Sequence, residues 1–150
     1  MSSINKINCI IVLIASKDWP QSWPNLITEL CEMPKKELSY ISENCIKILL
    51  LLSDHLNRSY KKLMTANKNI QLTYKMYEEL NKILNLIKYL LIEKSDEIVS
   101  FIINGNKINN NYNGNKELLT NILKQTIKLF EEFINWFDIE NIFVCRCLYR

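Results

Sequence analysis

The stretch Asn44-Cys45-Ile46-Lys47-Ile48-Leu49-Leu50-Leu51-Leu52-Ser53-Asp54 constrains the fold of this chain more than any other. Leu38, Ile41, Cys45, Ile48, Leu49, Leu52 and Leu56 recur at helical spacing, which predicts a helix over 36–57. Ile46, Leu50 and Leu51 extend its apolar surface almost all the way round. A helix that is apolar on most sides needs neighbours on most sides. The inner layer of stacked helical hairpins provides that environment.

The rest of the chain reads in the same way. Ile4, Ile7, Ile11 and Ile14, with Ile10 beside them, mark one face of a first helix. That helix should stop near Asp18, because Pro20 disfavours the helical conformation at Trp19. Pro24 suits the first position of a second helix, which runs from Asn25 to about Glu32 with Leu26, Ile27 and Leu30 inward and is closed by Pro34. Residues 58–69 are polar and basic and read as a connection or a frayed helix. A long helix over 70–93 carries Ile70, Tyr74, Tyr77, Leu80, Leu84, Ile87 and Leu91, and Ser95 is placed to cap a short helix through Phe101. Residues 104–115, NGNKINNNYNGN, read as a surface loop. A last long helix follows over 116–137, with Leu119, Ile122, Leu123, Ile127, Phe130, Ile134 and Phe137 inward. Residues 138–150 read as a turn and the start of another helix, whose Ile142, Phe143, Val144 and Leu148 call for a neighbour. Only two glycines and three prolines occur in 150 residues, which disfavours a turn-rich β fold. The expected class is therefore all-α, with antiparallel hairpins stacked as a HEAT-like α-solenoid of about three repeats at roughly 40–47 residues each.

Several function classes fall away. A net charge of +3 is too slight to argue by itself for nucleic acid. The five cysteines are odd in number and irregular in spacing, which fits reduced thiols in cytosol or nucleus and not a disulfide framework. No secretory leader is expected at the N-terminus, and no run of about 18 apolar residues predicts a membrane span.

Candidate chemistry is sparse. His55 beside Asp54 is the only histidine and has no nucleophile to pair with by sequence, so no catalytic residue is expected. Cys145-x-Cys147 lacks metal-ligand spacing and a second ligand pair, so neither metal nor cofactor is expected. Glu78, Glu79, Glu131 and Glu132 read as solvated helix faces. Leu80, Ile83, Ile87 and Leu90 have the spacing of a leucine-rich export signal, but the same spacing describes a buried stripe, which is the reading adopted. Arg58, Lys61, Lys62, Lys68 and Lys75 form the best candidate surface for an acidic partner or RNA phosphates, with ordinary solubility as the plain alternative.

The most specific string is Lys17-Asp18-Trp19-Pro20-Gln21-Ser22-Trp23-Pro24-Asn25-Leu26-Ile27. Trp19, Pro20, Trp23 and Pro24 read as a structural wedge between helices, in preference to an aromatic ligand surface. This turn resembles that of the exportin-1-like domain of nuclear export karyopherins, in the importin-β superfamily. The run from Asn44 to Asp54 resembles that domain's following helix. Phe133-Ile134-Asn135-Trp136-Phe137, with Ile139 and Ile142-Phe143, resembles its later helix end, where Trp136 is the matching tryptophan. Two features depart from the pattern. The Asn-rich stretch is not a family feature, and Asp138 stands where exportin-1 has proline, as in exportin-t. The double Trp-Pro is shared with exportin-5.

The resemblance implies a segment of a longer receptor, with residues 1–150 forming a single helical-repeat segment; the fragment by itself is expected to be monomeric. It also implies partners: Ran-GTP, export cargo and nuclear pore proteins, with shuttling between nucleus and cytoplasm and no membrane insertion. Leucine-rich-signal proteins are the first expected cargo. An exportin-t-like or exportin-5-like RNA carrier and a HEAT-repeat scaffold with no Ran dependence are the alternatives.

Overall fold

The computed structural model describes residues 2–62, 67–104 and 115–136. Among these the chain is all-helical: α1 (Ser3–Asp18), α2 (Leu26–Lys36), α3 (Tyr40–Lys62), α4 (Asn67–Lys88), a π-helical turn (Tyr89–Glu93), α5 (Ser95–Asn104) and α6 (Asn115–Trp136). The stretch from 63 to 66, the bulk of the Asn-rich segment, Phe137, and the end with Cys145 and Cys147 lie outside the described residues.

α3 is the hub. It packs against α1, α2, α4 and α6, the environment expected of a helix apolar nearly all round. Cys45, Ile46, Ile48, Leu49 and Leu52 are buried, with Leu50 and Leu51 packed at the edge of the core. The start of α3 is held by Ser39 and Ser42. The Ser39 amide donates to Ser42 Oγ at 3.1 Å, and the Ser42 hydroxyl donates to the Glu37 carbonyl. The helix continues through Lys62, so part of the expected 58–69 connection is helical. Ile41, in its first turn, is 60% exposed, while Ser42 and Glu43 beside it are buried, so the covered face of α3 at this end is not the one that carries Ile41.

The second layer is set by α2 and α4. Lys82 Nζ donates to Thr28 Oγ1 at 2.7 Å, and the Tyr89 hydroxyl donates to the Lys35 carbonyl at 3.5 Å. Both pairs are separated by 54 positions and lie about two turns apart, so α2 and the α4 stem run side by side in one direction. This arrangement of like-directed helices in a row, with α3 packed across both, matches helical hairpins placed one after another.

Helix ends mostly follow local chemistry, with informative exceptions. α1 stops at Asp18 as expected, where the Trp19 amide still bonds the Ala15 carbonyl at 2.8 Å and the Trp19–Pro20 bond is cis. Pro24 is not the first helical residue; it sits in the turn and Asn25 is the N-cap. Pro34 does not close α2 but lies inside it and is buried, and the helix runs on to Lys36. In the last turn proline forfeits a single bond, to the Leu30 carbonyl, while its ring adds to the apolar face. Ser95 is the first residue of α5 and its hydroxyl donates back to the Ile92 carbonyl at 3.3 Å, so it does not cap. Asp96 and Glu97 do occupy the first turn, where the helix dipole favours acids.

The inward faces of α1, α4 and α6 differ from the expected ones. α1 turns Asn8, Val12 and Ala15 into the core and leaves Ile4, Ile7, Ile10 and Ile14 about half exposed. Small Ala15 and a paired amide at Asn8 permit close approach to α3, which the isoleucine face does not. Along α4 and into the π-helical turn the buried line is Ile83, Leu86, Ile87 and Leu90, with Leu84 outside it; the side chains of Ile70, Tyr74 and Tyr77 are outside the described set. The residues with export-signal spacing, Leu80, Ile83, Ile87 and Leu90, are thus packed in or against the core. On α6 the core takes Leu118, Ile122, Thr126, Leu129 and Phe133, while Ile127, Phe130 and Ile134 stay exposed. Buried Ser53 and Thr126 satisfy their hydroxyls on the carbonyls of Leu49 and Ile122, one turn back.

Candidate functional site

The turn joining α1 and α2 carries the most distinctive residues. Trp19 is 1 % exposed and belongs to the core with Val12, Ala15 and Leu26. The Ser22 amide bonds the Asp18 carbonyl at 2.7 Å and the Leu26 amide bonds the Trp23 carbonyl at 3.3 Å, so the turn is tied at both ends. Pro20 is half-buried and Pro24 exposed. Trp23 stands at the surface, with its indole Nε1 donating to Glu29 Oε2 at 3.3 Å in the first turn of α2. The two indoles therefore have different surroundings: one is core, the other an exposed ring pinned by a carboxylate. Trp136 ends α6, and its side chain lies outside the described residues.

The basic candidates are distributed over two helices. Arg58, Lys61 and Lys62 fall in the last turns of α3, and Lys68 and Lys75 in α4. Of these only the Lys75 side chain is described. Its Nζ lies 2.9 Å from Glu78 Oε2, so this cation is offset by a carboxylate three residues on. Such a solvent-facing pair contributes little to stability.

A polar seam between α2 and α4 was not foreseen. Glu79, expected on a solvated face, is only 7 % exposed. Lys82 Nζ lies 2.5 Å from Glu79 Oε2 as an ion pair, while its hydrogen bond goes to Thr28 Oγ1. The i, i+3 spacing of Glu79 and Lys82 was visible in the sequence; the helix that covers Glu79 was not. Cys31 lies in the same seam. Burial pushes its thiol up to about 12, an effect that nearby Glu32 and Glu79 reinforce and that Lys35 and Lys82 oppose. Burial also raises Cys45. Both are neutral thiols at ordinary pH, packed as small apolar groups and poorly suited to nucleophilic chemistry.

The remaining candidates carry little chemistry. His55 is half-buried next to Asp54 on α3. Glu131 is exposed and Glu132 half-buried on α6. Among the described residues no three His, Cys, Asp or Glu side chains are grouped to hold a metal ion, and no helix is long and apolar enough to cross a membrane. What the described surface offers instead is packing area: an isoleucine face on α1, an apolar stripe on α6 and the Trp23 ring.

Comparison with known proteins covers almost all of this architecture. The family described as Exportin 1-like protein matches residues 3–148. Protein EXPORTIN 1B of Arabidopsis thaliana is 35% identical over 88 residues, which are 59% of this chain and 8% of that protein. Exportin-1 of Schizosaccharomyces pombe is 26% identical over 140 residues, 93% of this chain and 11% of its own length. Exportin-1 of Dictyostelium discoideum is 23% identical over 139 residues, with the same coverage of 93% and 11%. This chain thus spans about a tenth of the length of the curated relatives it matches. No solved structure matches it significantly.

Proposed function

This chain belongs to the exportin-1-like family, and on that premise we propose that it is a helical-repeat segment of a nuclear transport receptor that binds Ran-GTP and cargo cooperatively. Proteins bearing leucine-rich signals are the cargo, carried from nucleus to cytoplasm past the nuclear pore proteins. The observation that carries this reading is the family match across residues 3–148, which joins the Trp-Pro turn, the α3 core run and the end of α6 in one order. The receptor shuttles between the two compartments and needs no catalytic group, because its work is a coupling free energy between two binding sites.

In such a receptor the segment's contribution is mechanical. The half-exposed isoleucines of α1 and the stripe Ile127, Phe130 and Ile134 on α6 are faces on which flanking helices of a longer array pack. Repeat arrays gain stability from such neighbour contacts, and an isolated piece exposes its end faces. The basic residues Arg58, Lys61, Lys62, Lys68 and Lys75 are then candidate contacts for an acidic partner, and the Trp19–Pro24 motif, with Trp19 buried, sets the α1–α2 junction.

The test uses the full-length receptor, immobilised and titrated with a leucine-rich signal peptide and with tRNA, each in the presence of Ran-GTP and of Ran-GDP. Peptide binding that strengthens only with Ran-GTP is the expected result. The same coupling for tRNA alone would move the protein to the RNA exporters. Failure of Ran-GTP itself to bind would overturn the transport reading and leave a scaffold.

A further inference from the structure

We draw no further inference here: the strongest candidate, the open apolar face of α1 around Ile4, Ile7 and Ile14, is already part of the stacking surface proposed above, and nothing in the structure shows any other occupant.

Discussion

Asn8 and Asn44 exchange two side-chain hydrogen bonds across the α1–α3 contact, with Asn8 Nδ2 donating to Asn44 Oδ1 at 2.7 Å and Asn44 Nδ2 donating to Asn8 Oδ1 at 3.1 Å. Asn8 is fully buried. A buried amide is tolerated because each side supplies what the other lacks, a donor for an acceptor. The pair also fixes which face of α1 meets α3. An apolar contact could slide or rotate by one position at little cost, whereas this one cannot without stranding two amides.

Replacing one partner should therefore cost more than replacing both. Asn8→Leu or Asn44→Leu leaves a polar group unpaired in the contact and should destabilise the chain by about 1–3 kcal/mol. The double substitution should recover part of that loss. Urea denaturation of the four proteins in a double-mutant cycle measures the coupling. Additive single effects would show that the two amides act independently.

On the proposed stacking, the open face of α1 should behave differently in residues 1–150 alone and in the full-length protein. Leu49→Ala, in the fully buried line of α3, should cost roughly 2–5 kcal/mol in either setting. Ile7→Ser, on a residue 55% exposed here, should change the stability of residues 1–150 by no more than about 0.5 kcal/mol. In the full-length protein the same change should cost clearly more, since flanking helices would cover that face. Equal and small effects in both would argue against stacking on α1.

Cys31 gives a pH signature. Its folded thiol holds its proton up to about 12, against an ordinary 9.0, chiefly through burial. Between these values the unfolded chain has lost the proton and the folded chain retains it. The unfolded state then binds fewer protons, so stability falls as pH rises. This contribution is complete below pH 9 and is lost as pH climbs through about 12. Denaturation midpoints at pH 7.5 and pH 10 should differ more for the native sequence than for Cys31→Ala. In a thiol-labelling time course Cys9, which is partly exposed, should react before Cys31 and Cys45.

The α2–α4 seam should respond to charge. Lys82→Met removes the cation from a nearly buried Glu79 carboxylate and should destabilise by about 1–3 kcal/mol. The value should sit at the low end, since the Lys82 side chain is 46% exposed and water screens it. Adding Glu79→Gln should restore much of the loss by removing the uncompensated charge. Thermal melts of the two variants decide the point, and no recovery in the double variant would show that Lys82 acts through Thr28 alone.

Much of this protein was legible from its residues taken in order. The 3.6-residue periodicity of α3, α4 and α6, the stop imposed by Pro20 and the scarcity of glycine all act through neighbours in sequence, so the approximate bounds of the described helices and the all-α class follow from them. The Trp19–Pro24 string pointed to the family for a similar reason, since a turn motif is a local feature. Which side of a helix faces inward is a different kind of fact. On α1 both an isoleucine face and an Asn8–Val12–Ala15 face were available, and it is the second that meets α3, where Asn8 pairs with Asn44. The same holds for α6, where Ile127, Phe130 and Ile134 share the periodicity of the core but stay about half exposed, and for Glu79, which is buried where α2 packs beside α4. Burial is a property of the contact between elements. The sequence by itself determined which segments coil into helices; tertiary structure alone decided which of their faces lost water, because that choice depends on residues about 36 to 54 positions away.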